Sequence, residues 1–258
     1  MLDVPMLELF LDSTHYVIAG ALVGLLVGAT GVGGGSLMTP LLTMIFGVTP
    51  TTAVGTDLAF AAVTRGFGTA AHNLNENVRW DVVKLLCIGS ITSALISIFA
   101  LKLQGPISDS LSYFIHISIG ISVLLTGASL LFRQKVLKWS LNNKNFLPRG
   151  SDLKIATILV GAFIGVLVTI SSIGAGAIGT TLILLLYPHL KPSQIAATDI
   201  AYAVPLTALA GIGHWWLGNV HFDLLFGLLL GSVPAIWLVT KVKKMSASNK
   251  RWRTFSCK

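Results

Sequence analysis

The sequence has 258 residues, of which 53% are hydrophobic and 11% are charged, whereas about 25% of residues are charged in soluble proteins. This composition excludes an ordinary soluble domain and predicts an integral membrane protein. The formal net charge of +8 comes from basic clusters beside apolar segments and not from a basic stripe with interleaved aromatic residues, so it does not indicate a nucleic-acid partner.

The predicted elements are apolar helices that follow a short N-terminal segment, residues 1–14. Apolar runs that approach the roughly 20 residues needed to cross a bilayer lie at 51–73, 82–101, 111–132, 155–171 and 222–240. Transmembrane barrel strands alternate over only about ten residues, so runs of this length favour helices. The predicted fold class is therefore all-α, in a polytopic membrane protein.

An internal repeat organises the chain. At an offset of 141 residues, the glycines Gly20, Gly24, Gly33 and Gly35 match Gly161, Gly165, Gly174 and Gly176. After one inserted residue the offset becomes 142, and it aligns Thr56-Asp57 with Thr198-Asp199. Matches at a fixed spacing indicate a duplication. They predict a first repeat at 15–132, a linker at 133–154, a second repeat at 155–240 and a basic tail at 241–258.

The basic residues predict an orientation. They cluster in the linker and the tail, and such clusters mark the cytoplasmic side. With the acidic N-terminus outside, each repeat must open with a broken unit, 16–47 or 155–188, that crosses the membrane an even number of times. The repeats then have inverted topology, as in many secondary transporters, and the C-terminus is cytoplasmic. A counterpart of 111–132 is missing from the second repeat, through either a naturally shorter form or a truncation.

Each broken unit contains a Gly-rich break within an apolar stretch. Non-helical backbone in a bilayer persists where it is buried in protein or lines a polar cavity, and the N–H groups at a helix N-terminus suit an anion. The predicted substrate site comprises Gly31, Gly33, Gly34, Gly35, Ser36, Thr56, Ser171, Ser172, Gly174, Gly176 and Thr198. The alternative interpretation is close helix packing through small residues.

Asp57 and Asp199 occupy equivalent positions inside the membrane. A carboxylate at that depth is costly and by default functional, as a proton relay or a cation contact, although a structural carboxylate that accepts N–H bonds around the break is an alternative. Arg65, whose counterpart is Thr207, either neutralises Asp57 or contacts an anionic substrate. We predict that Asp57, Asp199 and Arg65 couple transport to an ion. His214 ends its helix and is predicted to cap it near the membrane interface.

The motifs around the breaks are GLLVGATGVGGGSLMTP from Gly24 to Pro40, Val54 to Leu58, Ser172 to Thr180, Ala197 to Asp199 and Gly213 to Val220. In these motifs the chain resembles the TauE/SafE group of sulfite and organosulfonate exporters, also called the TSUP family, over nearly all of residues 15–240. The resemblance implies a carrier for sulfite, thiosulfate or organosulfonates in a bacterial inner membrane. Many relatives carry Ser where this chain has Asp57, so a coupling that depends on Asp57 would belong to a subgroup.

The predicted function is thus a secondary transporter that moves a small sulfur-containing anion by alternating access. A passive anion channel stays open as an alternative, as does an intramembrane aspartyl enzyme in which Asp57 and Asp199 share a proton. We predict no cofactor, and no metal site either, because Cys87 and Cys257 lack the spacing of metal ligands. The expected partners are the anion and membrane lipid, and a homo-oligomer is left open.

Overall fold

The computed structural model of the protein describes residues 14–26, 35–71, 78–103, 109–142 and 148–255. All regular secondary structure within these ranges is helical, which confirms the predicted all-α class. The helices are α1 (Thr14–Leu26), α2 (Gly35–Met44), α3 (Pro50–Ala71), α4 (Trp80–Leu103), α5 (Asp109–Asn142), α6 (Ser151–Ser171), α7 (Ala177–Leu186), α8 (Pro192–Trp216) and α9 (Phe222–Phe255).

Five stretches of helix are long and apolar enough to cross a membrane, so the chain is a multi-pass membrane protein. They are Trp80–Leu103, Ser112–Asn142, Ser151–Ser171, Pro192–Trp216 and Phe222–Val239. The predicted run at 51–73 forms α3 but is not among them, whereas α8, which the list of apolar runs omitted, is. The reason is that α3 carries Asp57, Arg65 and the threonines Thr51, Thr56 and Thr64, which neighbouring helices bury, and a helix shielded from lipid needs no continuous apolar surface.

Two helices continue into the segments predicted as basic linker and tail. α5 extends to Asn142 because Val136 and Leu137 pack against the apolar core and Ser140 Oγ donates to the Leu185 carbonyl at 2.8 Å. α9 extends to Phe255. Residues 133 and 241 therefore mark changes in composition and not the ends of helices.

The repeat in the sequence is matched by the positions at which helices begin. α2, α3 and α4 begin at Gly35, Pro50 and Trp80, and α7, α8 and α9 begin 142 residues later in each case, at Ala177, Pro192 and Phe222. The helix pattern thus follows the same offset as the paired Thr-Asp motifs.

Both broken units fold back on themselves. In the first unit, the ring of Tyr16 in α1 lies 5.2 Å from that of Phe46, just beyond α2. In the second, Thr157 Oγ1 in α6 hydrogen-bonds Tyr187 Oη, just beyond α7, at 2.8 Å. The short second helix of each unit therefore ends beside the first turns of its long partner, as in a re-entrant hairpin.

Glycines allow helices of different repeats to approach closely. α1 packs on α9 and α4 packs on α6, with glycines of α1 and α6 facing the backbone of the partner helix. The matched pairs are Gly20–Leu228 with Gly161–Leu86, and Gly24–Ser232 with Gly165–Ser90. The first helix of each repeat therefore lies against the fourth helix of the other, through the small residues that helix crossings in membranes favour.

Replacing Gly161 with Ala is expected to lower the melting temperature in detergent. A Cβ at Gly161 would stand 2.5 Å from the Leu86 carbonyl oxygen, whereas at Gly120 it would meet nothing within 4 Å. Overpacking of this kind costs about 1–3 kcal/mol, which outweighs the gain of about 1 kcal/mol in helix propensity. Gly120→Ala is the matched control and should melt at the same temperature or higher. Equal melting temperatures for both variants would contradict a tight crossing of α4 and α6.

Candidate substrate site

Three ionisable side chains on the two central helices are buried together with the second break. α3 packs against α8, and Asp57, Arg65 and Asp199 are 0%, 5% and 4% exposed. Burial of two carboxylates and a guanidinium inside a membrane protein is costly unless they interact with one another or with a ligand. The sequence groups these three residues only by their predicted depth in the membrane.

Asp57 is held by groups from two other elements. Thr39 Oγ1 of α2 donates to Asp57 Oδ2 at 2.5 Å, and the carboxylate also interacts with the Ser172 hydroxyl and the Arg65 guanidinium. Asp57 Oδ1 and Ser172 Oγ are buried without a well-formed hydrogen bond. The structure therefore brings Asp57 of the first repeat to Ser172 of the second, as expected for a single central site.

Asp199 lies in a different environment from Asp57. It lies close to the backbone N–H of Gly176 and to the hydroxyl of Tyr202, and the charge of Arg65 acts on it, but Asp199 Oδ1 and the Tyr202 hydroxyl are buried without a well-formed hydrogen bond. Gly179 in α7 provides the space, because a Cβ there would collide with both the Asp199 carboxylate and the Tyr202 hydroxyl.

Sequence reasoning missed Tyr202 and Gly179. The signal for Tyr202 was its position three residues after Asp199, which places both side chains on one helix face, whereas Phe60 is the equivalent residue of the first repeat. Gly179 carried no local signal, because its role depends on a helix that is distant in sequence.

Arg65 links the central helices to the second break. Its Nη2 donates to the Ala175 carbonyl at 3.0 Å, and its positive charge acts on Asp57 and on Asp199. The guanidinium thus fixes the backbone between α6 and α7 by a direct hydrogen bond, and its charge acts on both carboxylates through space. The prediction that Arg65 neutralises Asp57 describes only part of this arrangement.

The second break contains three residues with positive φ: Ser172 at 58°, Gly174 at 140° and Gly176 at 114°. The two glycines adopt angles that side chains rarely tolerate. α6 ends as the Ser172 N–H bonds the Val168 carbonyl at 2.8 Å, and α7 begins after Gly176 without a side-chain cap. The predicted break is thus present at Ser172, Gly174 and Gly176, and the N-terminus of α7 lies beside Asp199.

The two serines of this break have different surroundings. Ser171 Oγ donates to the Leu167 carbonyl at 2.7 Å and lies 2.9 Å from Ser122 Oγ, from which it accepts, whereas Ser172 Oγ has no such partner. Ser171 is therefore occupied towards α5, whereas the Ser172 hydroxyl lies close to Asp57 without a well-formed hydrogen bond. A sequence pattern of two adjacent serines does not distinguish these roles.

The first break is only partly described. Gly31, Gly33 and Gly34 lie outside the described residues, and Gly35 and Ser36 form the first turn of α2. Their predicted part in the substrate site stays a prediction.

Thr56 and Thr198 make equivalent contacts at two different places. Thr56 Oγ1 accepts the backbone N–H of His221 at 3.1 Å, and Thr198 Oγ1 accepts that of Arg79, also at 3.1 Å. His221 and Arg79 directly precede α9 and α4, so each threonine joins a central helix to the fourth helix of the other repeat. Both hydroxyls therefore have a structural use in addition to the substrate contact predicted for them.

His214 is buried between α8 and α6, where its ring meets a carbonyl of α6 and not one of its own helix, and its place near the membrane interface stays a prediction. Its side chain is 1% exposed, and Nε2 lies 2.9 Å from the Thr169 carbonyl. Trp215 and Trp216 beside it are exposed, and the Lys102 ammonium lies 3.4 Å from the Trp216 ring centroid. Within the described ranges, His, Cys, Asp and Glu side chains do not form groups of three that could hold a metal ion.

Comparisons with known proteins give a consistent result. A family model described as Sulfite exporter TauE/SafE matches residues 16–255. The probable membrane transporter protein YjnA of Bacillus subtilis is 37% identical over 224 residues, which cover 87% of each chain. A second Bacillus subtilis protein of that description, YdhB, is 27% identical over 85% of this chain and 86% of its own. No solved structure gives a significant match.

Proposed function

Because the chain belongs to the TauE/SafE sulfite exporter family, we propose that it carries sulfite, thiosulfate or an organosulfonate across the bacterial inner membrane by alternating access. The chain is a multi-pass membrane transporter related to bacterial membrane transporters. The family description supports sulfur as the central atom of the substrate, and the site described above supports an anion.

The observation that carries the proposal is the position of Arg65 in the buried centre. Its guanidinium bonds the Ala175 carbonyl in the α6–α7 break, which also holds the Ser172 hydroxyl and leads into the N-terminus of α7. A guanidinium, a hydroxyl and helix N-terminal N–H groups are the donors that oxyanions prefer. A sulfur oxyanion presents several oxygens to such a set of donors.

Helix directions support the inverted repeat and therefore alternating access. The starts of α3 and α9 lie together at the Thr56–His221 contact, with the ends of α4 and α8 together at Lys102 and Trp216. Gly55 of α3 lies close to the Asn219 carbonyl in the α8–α9 turn. The starts of α3 and α9 therefore lie at the same end of the molecule as the ends of α4 and α8. Thus α3 is antiparallel to its counterpart α8, and α4 to its counterpart α9, as inverted topology requires.

The carrier is tested by flux into proteoliposomes that contain the purified protein. We expect saturable uptake of sulfite, thiosulfate or methanesulfonate, and faster uptake of the labelled anion when the same unlabelled anion is inside, because a carrier returns faster when loaded. Uptake without saturation or such acceleration would favour the passive channel. Absence of flux with every sulfur anion would contradict the substrate class.

A cysteine-labelling experiment tests the orientation. In a background without Cys87 and Cys257, a cysteine replacing His221 should react with an impermeant thiol reagent on intact cells, because the α8–α9 turn is predicted to face outwards. A cysteine replacing Asn143 should react only after the cells are opened, because it follows the basic end of α5. The opposite labelling pattern would reverse the proposed orientation.

A further inference from the structure

The charges of the central site do not balance when all three groups are ionised. Asp57, Arg65 and Asp199 are the acidic and strongly basic side chains that are buried among the described residues. One guanidinium and two carboxylates give a net charge of minus one. An uncompensated charge in a low-dielectric interior is costly, and proteins avoid it by binding or releasing a proton. The empty site is therefore neutral when the two carboxylates share one proton.

The groups around the carboxylates leave this count unchanged. Asp57 faces the hydroxyls of Thr39 and Ser172, and Asp199 faces Tyr202 and the Gly176 N–H, all of them uncharged donors. Cys87 of α4 lies near Tyr202, and the His214 ring lies against the Thr169 carbonyl. Arg133 of α5 acts on Asp199 from a distance, at a half-buried position where solvent and ions screen its charge.

We infer that this site takes a singly charged oxyanion, such as hydrogensulfite or an organosulfonate, together with one proton, so that each transport step is electroneutral. The inference rests on the proposed function and specifies its substrate charge and its coupling. When a monoanion contacts Arg65 while one carboxylate is ionised, the site again carries a net charge of minus one. A second proton on the carboxylate pair restores neutrality.

The same count discriminates against dianions, and it therefore narrows the proposed substrates: hydrogensulfite and organosulfonates fit the site, whereas thiosulfate, a dianion, does not. With both carboxylates protonated, Arg65 supplies one positive charge, so a bound dianion leaves a negative charge that the site has no means to neutralise. Protonation itself is geometrically available, because Asp57 Oδ1 and Asp199 Oδ1 are both buried without a hydrogen-bond partner. Asp57 is able to take a proton there while Thr39 remains bonded to Oδ2. The transported proton belongs to the pair and not to one residue.

The test measures protons, current and anion together in proteoliposomes, with methanesulfonate as the monoanion and sulfate as the dianion. For the wild-type protein we expect one proton per methanesulfonate, read by a trapped pH indicator, and no current on a solid-supported membrane. Sulfate should compete at least about tenfold more weakly than methanesulfonate. A methanesulfonate current without proton movement would overturn the inference. Transport of sulfate at a rate similar to that of methanesulfonate would also overturn it. Either result would leave the proposed transport of sulfur anions intact.

Variants sharpen the test, because the charge count predicts different results for single and double changes. Asp57→Asn and Asp199→Asn should each retain one proton per anion, since the remaining carboxylate balances Arg65 in the empty site. The double variant should carry methanesulfonate as a current without protons. Asp152→Asn, at an exposed position of α6, is the control with unchanged stoichiometry. A single variant that loses coupling, or a double variant that keeps it, would contradict the shared proton; the wild-type stoichiometry provides a result even if the double variant fails to fold.

Discussion

Arg65→Gln should lower the rate of anion transport at least about thirtyfold. The guanidinium is the buried cation at the centre of the described structure and donates to the Ala175 carbonyl at 3.0 Å. Removing one partner of a buried charge pair costs about 2–5 kcal/mol, here in the binding of the anion that Arg65 is proposed to contact, and about 1.4 kcal/mol corresponds to a factor of ten. The measurement is the initial uptake rate in proteoliposomes, normalised to the amount of folded protein.

Two further variants isolate the role of this guanidinium. Arg65→Lys keeps the charge but loses the planar, multiple donors that match an oxyanion, so an intermediate rate is expected. Arg79→Gln is the control: Arg79 forms an exposed ion pair with Asp81 at 2.7 Å, and exposed pairs contribute about 0–1 kcal/mol. The substrate anion should raise the melting temperature of the Arg79 variant but not of Arg65→Gln. Wild-type transport by Arg65→Gln would show that the anion binds elsewhere.

The sequence predicts those parts of the fold that follow from short motifs and from their repetition along the chain. A Gly-rich interruption of an apolar run is visible within about ten residues, and the second one does contain the positive φ angles of Ser172, Gly174 and Gly176. The Thr-Asp pairs recur at the offset of 142 residues at which helices α2 to α4 and α7 to α9 begin. The interruption and the repeat can both be read from the order of residues along the chain, so tertiary contacts do not alter either signal.

The features that were missed or misjudged depend on contacts between distant segments. The sequence places His214 at a helix end, but only the packing of α6 against α8 decides that it is buried. Gly179 is one glycine among 26, and its value lies in the Asp199 and Tyr202 side chains that occupy the space. Likewise α3 is too polar to look like an isolated membrane span. Its buried threonines, Asp57 and Arg65 are tolerated because the surrounding helices, and not lipid, contact them.

The repeated threonine contacts lead to the second large expected effect, a shift between outward and inward access. With the orientation predicted from the basic segments, the Thr56–His221 bond lies at the outer end and the Thr198–Arg79 bond at the cytoplasmic end. Thr56→Val removes the acceptor of the His221 N–H, a partly buried hydrogen bond of the kind that contributes about 0.5–1.5 kcal/mol. Opening gives that N–H a water partner instead, so the outward-open population should rise about 2- to 10-fold relative to the closed one. Thr198→Val should act in the opposite direction.

A central cysteine reports this shift. Ala175 lies in the second break and is 3% exposed, so Ala175→Cys in a background without Cys87 and Cys257 should react slowly with an impermeant thiol reagent. Adding Thr56→Val should accelerate labelling from outside, and adding Thr198→Val should slow it, whereas Thr56→Ser and Thr198→Ser keep the hydroxyl and serve as controls.

Because the two bonds are equivalent within the repeat, a general loosening of the protein would change labelling in the same direction for both valine variants. Opposite changes are expected only if the two contacts hold opposite ends of an alternating structure, and changes of the same sign would reject that mechanism.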